Sequence, residues 1–389
     1  MIKVGRVVGS QLSVDDKELS VNAYISPHIK LKEKLAKLEM MRGFAAVYVM
    51  AGHFLLPLTG ENSFFGLPLR FGQEAVILFF LISGFVIYFS TEKQRPDFAT
   101  YISRRWKRIY PIFLLVLCVS AVDIVKLQSQ PFPWRDFLGN LFMLQDFSQG
   151  KPGVWFSAFG GNSPLWSLSY EWWFYLLFYP IWRFASLLWQ RAIVCFISLL
   201  GIVTYAWYPN QPLLYCAYFI LWWTGAEFAR QYVNKGQVTF KEQRVFIGIL
   251  TGFVCLVTAV LLTAHNWVGN LRFGLYPILQ IRHFFACLVI ALGALLWKKF
   301  NWKWFETVFG IFKYAAPISY GIYALHYPIG VSGTFFSFLP EGGGKLFVTI
   351  VTSLIVAWFA EIPYQQFANR LFRFLPNKVI KGSNATGPA

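Results

Sequence analysis

Charged side chains are scarce in this chain of 389 residues: they make up 14% of it, and hydrophobic residues make up 56%. A typical soluble domain carries about a quarter charged residues. Acidic residues are the scarcest charged class, with 18 Asp and Glu against 35 Lys and Arg, for a formal net charge of +17. The shortage of charge excludes an ordinary soluble domain, and long apolar runs place the chain in a lipid bilayer.

Cysteine is also scarce. The five cysteines lie inside apolar segments without CxxC spacing: Cys118, Cys195, Cys216, Cys255 and Cys287. We interpret them as small hydrophobic residues, and we expect no metal site. The positive charge would suggest nucleic acid in a soluble protein, but in a membrane protein it marks cytoplasmic loops. The expected partner is therefore membrane lipid and not nucleic acid.

The apolar segments predict an all-α polytopic membrane protein with about ten transmembrane helices. These spans lie near 42–58, 73–90, 109–127, 166–188, 191–207, 211–230, 244–264, 277–297, 313–336 and 344–365. Lys and Arg concentrate in every second loop, which predicts that both termini are cytoplasmic. The predicted organisation is a cytoplasmic N-terminal segment at 1–36, a membrane domain at 37–373 and a cytoplasmic tail at 374–389.

Ionisable residues inside apolar spans are costly, so each is a functional candidate. Arg42 and His53 are eleven residues apart in the first span. That distance is about three helical turns, so both lie on one face, with His53 about 16 Å deeper than Arg42. Arg42 either pairs with Glu39 or receives an anionic cofactor at the cytoplasmic end. His53 either takes part in chemistry or only bonds a neighbouring helix.

Further polar candidates lie in later spans and in one loop. Glu171 and His326 are predicted to share the depth band of His53, from the middle of the membrane outward. They form one catalytic cavity with it, or three unrelated hydrogen bonds between helices. Arg105 and Arg108 belong to a basic loop that either anchors the chain at the membrane surface or clamps phosphate with bidentate guanidinium groups. Composition alone favours the anchor.

Six short stretches follow one another along the chain: LEMMRG at 38–43 with His53 in the same helix, FFLISGF at 79–85, RWKRIYP at 105–111, PLWSLSYE at 164–171, ISYGIYALH at 318–326 and EIP at 361–363. In this order they resemble the acyltransferase-3 family of membrane acyltransferases, which includes O-acetyltransferases of bacterial surface polysaccharides. The resemblance extends over about residues 38–373.

The resemblance implies an acyl-CoA donor, in the first place acetyl-CoA, on the cytoplasmic side of a bacterial inner (plasma) membrane. The implied acceptor is a glycan or a lipid-linked saccharide. Arg42 and His53 would serve acyl-CoA binding and catalysis, and Arg105, Arg108 and Ser83 would hold the cofactor. On this basis the interpretation of the basic loop changes from anchor to clamp.

Acyl transfer to a hydroxyl needs a base that removes the hydroxyl proton. His53 is the predicted base, or it accepts the acyl group itself before passing it on. Glu171 and His326 are predicted to orient His53 or the acceptor. One departure from the family pattern concerns Ile77, where members often carry an acidic residue; Glu74, three residues earlier, is the predicted substitute.

Two other classes of protein compete with this interpretation. In a proton-coupled transporter or flippase of a glycan or lipid, the buried His and Glu side chains would be coupling or substrate sites. A receptor or structural membrane protein would need no histidine at mid-depth. The oligomeric state stays open, a homo-oligomer included.

Overall fold

The computed structural model describes residues 27–264 and 271–373. The first 26 residues of the predicted N-terminal segment and the whole predicted tail at 374–389 lie outside the described residues. Within the described ranges the chain is nearly all α-helical, as predicted. A two-stranded parallel pairing of β1 (Gln145–Asp146) with β2 (Phe156–Ser157) interrupts the helices.

The helices follow in chain order. They are α1 (Pro27–Thr59), α2 (Gly72–Gln94), α3 (Phe98–Val122), α4 (Trp134–Leu141), α5 (Trp166–Phe184), α6 (Leu187–Trp207), α7 (Gln211–Lys235), α8 (Phe240–Thr263), α9 (Ile278–Lys299), α10 (Phe305–Phe309), α11 (Ser319–Gly330), α12 (Gly343–Phe359) and α13 (Gln365–Leu371). A π-helical turn at Asp123–Leu127 extends α3, and a second one at Ala360–Tyr364 joins α12 to α13.

Seven helical segments of the described chain are long and apolar enough to cross a membrane, and they make this an integral membrane protein. They are Leu35–Thr59, Leu67–Gln94, Phe98–Leu127, Leu187–Trp207, Phe240–Thr263, Ile278–Lys299 and Gly343–Leu371. The three other predicted spans correspond to α5, α7 and α11. Both α5 and α7 contain polar residues, such as Ser167, Ser169 and Glu227, and polar residues lower the mean hydropathy of a segment. The count of ten and the cytoplasmic placement of both ends stay predictions.

Several predicted boundaries differ from the structure; the predicted span 166–188, for example, runs past the end of α5 into the start of α6. The first helix already begins at Pro27, inside the segment predicted to precede it, and proline suits the first helical position because its missing N–H is not needed there. The predicted span 313–336 contains only the 12 helical residues of α11. Pro317 lies in the 3-10 turn Ala316–Ile318 just before α11, and proline suits the start of a helix.

The centre of the bundle is the contact between α2 and α7. A Cβ atom on Gly84 would lie 2.1 Å from the carbonyl oxygen of Trp222, and one on Gly225 would lie 1.9 Å from that of Leu81. Only glycine permits this approach, as at other close helix contacts in membranes. Fully buried aromatic side chains surround the contact: Phe80, Phe174, Phe178, Phe219 and Trp222.

The segment between α3 and α5 folds over the start of α5. Its Lys151 is 4% exposed, and its Nζ donates to Asp146 Oδ1 at 2.8 Å. The Tyr170 hydroxyl donates to Asp146 Oδ2 at 2.7 Å, and the Lys151 ammonium lies 3.7 Å from the ring centroid of Trp166. The buried ion pair and its further hydrogen bonds hold this segment against the start of α5, where it covers one end of the bundle.

Candidate active site

Five of the predicted site residues line one cavity, which we call the arginine cavity. They are Arg42, Ser83, Arg105, Arg108 and Glu171. The cavity encloses about 860 Å³ of empty space including its mouth. Four helices contribute these residues, since Arg105 and Arg108 share α3. Residues separated by as many as 129 positions in the sequence, from Arg42 to Glu171, thus meet around one space.

Arg42 is held from two sides. Its Nε donates to Ser319 Oγ at 2.9 Å, and its Nη2 donates to the Ala316 carbonyl at 3.0 Å. The same Nη2 lies 2.6 Å from Glu39 Oε2, so Arg42 forms the ion pair with Glu39 and lines the cavity at the same time. A Cβ atom on Gly43 would lie 2.2 Å from the Phe312 carbonyl oxygen, so glycine lets α1 press against the segment before α11. The guanidinium is therefore fixed before any ligand arrives.

Arg108 forms an ion pair with Glu361, its Nη1 lying 2.6 Å from Oε2. The other carboxylate oxygen accepts the backbone N–H groups of Tyr320 at 3.0 Å and Gly321 at 3.2 Å. The Glu361 side chain is 1% exposed and that of Arg108 is 42% exposed. Glu361 is thus paired with an arginine of the basic loop, and the pairing leaves part of the guanidinium open to a ligand.

Arg105 faces the cavity from the same helix. Its guanidinium lies 5.7 Å from the ring of Tyr101 and 6.0 Å from that of Tyr175. Its buried Nε has no hydrogen-bond partner among the described residues. An unpaired buried donor on a cation is costly, so an anionic ligand would stabilise this side chain.

Ser83 and Glu171 are joined by a directional chain of hydrogen bonds. Because Tyr175 donates to the Glu171 carboxylate at 2.6 Å, its oxygen accepts from Ser83 at 3.2 Å. The Trp222 indole N–H in turn donates to Ser83 at 3.2 Å. The hydroxyl hydrogen of Ser83 is therefore already used, and Ser83 acts on the cavity by positioning Tyr175 and Glu171.

His53 lines a second cavity, the histidine cavity, together with Arg70, Gln73 and Trp166 among others. Its Nδ1 lies 3.0 Å from Nε2 of His326, and His326 Nδ1 lies 2.8 Å from the carbonyl oxygen of Ile322. A carbonyl only accepts, so His326 Nδ1 carries the hydrogen and its Nε2 accepts from His53 Nδ1 when both rings are neutral. The Nε2 of His53 is then left unprotonated, as a base requires.

The two cavities adjoin at Tyr323, which lines both. Its hydroxyl donates to the Pro164 carbonyl at 2.6 Å and accepts from Ser167 at 2.8 Å, and its ring lies 5.4 Å from that of Phe79. The structure therefore brings His53 and His326 together but puts Glu171 on the other side of Tyr323. The reason lies on α5, where Trp166 reaches the histidine cavity and Glu171 lies about 7.5 Å further along the axis.

Ile77 is fully buried, and Glu74, the predicted substitute acid, lies 2.5 Å from Nη2 of Arg282. Arg282 and its neighbour His283 are polar residues of an apolar span that the sequence did not lead us to single out. His283, in α9, is fully buried and 2.8 Å from the Tyr218 hydroxyl. An adjacent Arg and His only a few residues into an apolar span was the available signal. In the described ranges no cluster of three or more His, Cys, Asp or Glu is placed to hold a metal ion.

Comparison with known proteins gives the class of this chain. The acyltransferase-3 model, described as an acyltransferase domain, matches residues 35–362, and the chain belongs to this family. The resemblance carried by the six motifs is thereby confirmed, and with it the acyltransferase class of the domain.

Two relatives illustrate the match. Acyltransferase MdmB of Streptomyces mycarofaciens is 32% identical over 157 residues, which are 38% of this chain and 39% of that protein. O-acetyltransferase OatA of Staphylococcus aureus is 27% identical over 350 residues, which are 79% of this chain and 55% of that protein. The matches thus span about half or less of the relatives' own lengths. No solved structure matches the chain.

Proposed function

We propose that the protein is a membrane O-acyltransferase. It moves an acyl group, in the first place acetyl, from acyl-CoA to a hydroxyl of a glycan or lipid-linked sugar at a bacterial inner (plasma) membrane. One observation carries the proposal. Arg42 and His53 lie on the same helix, Arg42 lines the arginine cavity and His53 lines the histidine cavity, and Tyr323 lines both cavities. The name of the relative OatA, an O-acetyltransferase, supports an acetyl group and an oxygen acceptor.

The donor fits the arginine cavity. Coenzyme A carries phosphates, and guanidinium groups bind phosphate with paired, charge-assisted hydrogen bonds. Arg42, Arg105 and Arg108 offer three such groups, of which Arg105 has a buried donor without a partner among the described residues. The bias of Lys and Arg toward this end of the bundle favours a cytoplasmic mouth, the side on which acyl-CoA is present.

The acceptor fits the histidine cavity. The rings of Phe147 and Trp166 line it and suit the apolar faces of a sugar, while Arg70 and the amide of Gln73 suit its hydroxyl groups. The buried Oε1 of Gln73 has no hydrogen-bond partner among the described residues. A buried acceptor without a partner is costly, so a hydroxyl donor from the ligand would stabilise it.

The chemistry centres on His53 Nε2. As the acceptor oxygen attacks the thioester carbonyl, Nε2 takes its proton; the C–S bond breaks, and the proton passes to the departing CoA thiolate. In the alternative route Nε2 attacks the carbonyl itself, and the C–S bond breaks so that CoA leaves as the thiolate. The acceptor oxygen then takes the acyl group from the imidazole, and its proton passes to the CoA thiolate. His326 holds Nδ1 in both routes and keeps Nε2 free.

Purified protein incubated with acetyl-labelled acetyl-CoA and a panel of glycan acceptors tests the proposal. We expect label on an acceptor hydroxyl and release of free CoA, both lost in His53→Ala. A protein that consumes no acetyl-CoA with any acceptor, yet moves a glycan or lipid across vesicles, would be a transporter instead. Omitting the acceptor separates the two routes, because only the second leaves acid-labile label on the protein.

A further inference from the structure

A third cavity opens on the surface next to the arginine cavity. Its lining, which we call the basic cleft, consists of Arg104, Lys107, Arg108, Gln365, Asn369 and Arg373. The first three belong to α3, and the others lie in or just after α13. Four of the six carry a positive charge, and the described residues that line the cleft include no carboxylate.

Two of the four cations have partners that do not line the basic cleft. Glu361, in the π-helical turn before α13, pairs with Arg108, and Arg104 donates to the neutral amide oxygen of Gln94. Repulsion between cations that share an open cleft is relieved by a bound anion, and phosphate accepts from several of them at once. The basic cleft therefore favours the binding of a strongly anionic group.

Gln365 supplies an independent sign of a missing ligand. It is 7% exposed, and its Nε2 donates to the Lys107 carbonyl at 2.5 Å. Its buried Oε1 has no hydrogen-bond partner among the described residues. A buried acceptor beside a cationic cleft calls for a ligand that brings an N–H or O–H donor together with negative charge.

Arg108 lines both the basic cleft and the arginine cavity. A long ligand with phosphate at one end and its reactive group at the other can therefore occupy both. A free lipid headgroup would fill the cleft alone and leave the arginine cavity to another molecule. The continuity through Arg108 favours a single ligand.

We propose that the basic cleft binds the 3′-phosphoadenosine end of the acyl-CoA donor. Arg104, Lys107 and Arg373 hold the 3′-phosphate, and Gln365 Oε1 accepts a hydrogen bond from the adenosine. The inference rests on the proposed function, since it takes acyl-CoA as the donor whose thioester enters the arginine cavity.

The test compares acetyl-CoA with 3′-dephospho-acetyl-CoA on the full chain in detergent without anionic lipid. Wild-type protein should show a KM for acetyl-CoA about tenfold or more below that for the dephospho donor, because a charge-assisted hydrogen bond to phosphate is lost with the group. The double variant Arg104→Ala/Arg373→Ala should raise the KM for acetyl-CoA to that of the dephospho donor. The KM for the dephospho donor and both kcat values should stay unchanged.

Lys235→Ala is the matched control, because Lys235 is exposed at the same end of the bundle and pairs with Glu242. It should keep the full preference for the 3′-phosphate. Equal KM increases for both donors in the double variant, or no preference in wild type, would overturn the inference. So would a double variant that responds to added phosphatidylglycerol vesicles while keeping the preference, since the cleft would then be a lipid site.

Equilibrium binding of CoA and 3′-dephospho-CoA distinguishes this inference from the proposed function. If the protein turns over no acetyl-CoA but binds CoA with a 3′-phosphate preference that Arg104→Ala/Arg373→Ala removes, the proposed function fails and the site stands. If neither compound binds, both fail.

Discussion

The arginine cavity and the histidine cavity differ in the charge of their walls. The first is lined by Arg42, Arg105 and Arg108 together with Glu171, whereas the second is lined by one arginine, Arg70, and by the imidazole of His53, which bonds the buried His326. A charged wall suits the binding of an anion, and a neutral imidazole can take up and return a proton. Under the proposed function, donor binding and proton transfer are divided between these two cavities. Substitutions in the first should change KM for the donor, and those in the second should change kcat.

The largest expected effect comes from His53→Ala. Loss of a general base lowers kcat by about 10² to 10⁴-fold, while CoA binding should be unchanged because the arginine cavity is intact. Initial rates with labelled acetyl-CoA and equilibrium CoA binding measure the two quantities. His283→Gln is the control, since His283 is a buried membrane histidine that bonds Tyr218. Normal turnover by His53→Ala would remove the histidine cavity from the chemistry.

Arg42→Ala should produce the next largest effect. The guanidinium that Ser319 and Ala316 hold in place is lost, so the KM for acetyl-CoA should rise by about 10 to 100-fold with little change in kcat. Arg42→Lys should recover only part of the affinity, because an ammonium lacks the bidentate fork. A fall in kcat at unchanged KM would contradict the division between the two cavities.

His326→Ala should lower kcat by about tenfold at unchanged KM, because the hydrogen bond that holds His53 Nδ1 is worth that much. His326→Gln should lose less, since its amide oxygen can still accept from Nδ1. Steady-state kinetics of both variants with one acceptor provide the measurement. Equal losses in the two variants would mean that His326 does not orient His53 through this bond.

Glu361→Gln tests the partner of Arg108 and should raise the KM for acetyl-CoA by about threefold to tenfold. The amide still accepts the N–H groups of Tyr320 and Gly321, but the charge that fixes the guanidinium is gone. Thermal unfolding in detergent should also begin at a lower temperature. Glu242→Gln, which removes an exposed ion pair with Lys235, should leave both quantities unchanged. An equally large change there would point to a general charge effect.

The smallest effect is expected from Ser83→Ala, a change of about twofold in KM. The Ser83 hydroxyl already donates to Tyr175 and accepts from the Trp222 indole. Its removal therefore affects the position of Glu171 only indirectly, through Tyr175. The same kinetic titration with acetyl-CoA gives the value. A tenfold rise would instead make Ser83 a direct ligand of the donor.

Sequence reasoning found the parts of this site that depend on one helix. Arg42 and His53 share a helix, and the helical rise alone predicted their separation in depth. The six motifs identified the family because they are short stretches typical of it and follow one another in the family's order.

The parts that escaped depend on how helices turn toward one another. The predicted depth in the membrane placed Glu171 near His53. Depth along the membrane normal does not determine on which side of Tyr323 a side chain lies. The ion pair of Lys151 with Asp146 lies in a segment with no helical period to predict it. Arg282 and Glu74 belong to spans more than two hundred residues apart, so only the folded bundle reveals the pair.

The close contact of α2 with α7 at Gly84 and Gly225 limits how a passage between the arginine cavity and the histidine cavity can open. Because the backbones of α2 and α7 are in contact at both glycines, a shift of one helix along the other is hindered, and Phe79 on α2 packs against the ring of Tyr323. We therefore expect a passage between the two cavities to open by rotation of aromatic rings and not by displacement of the helices. We expect a covalent tether between α2 and α7 to leave turnover intact.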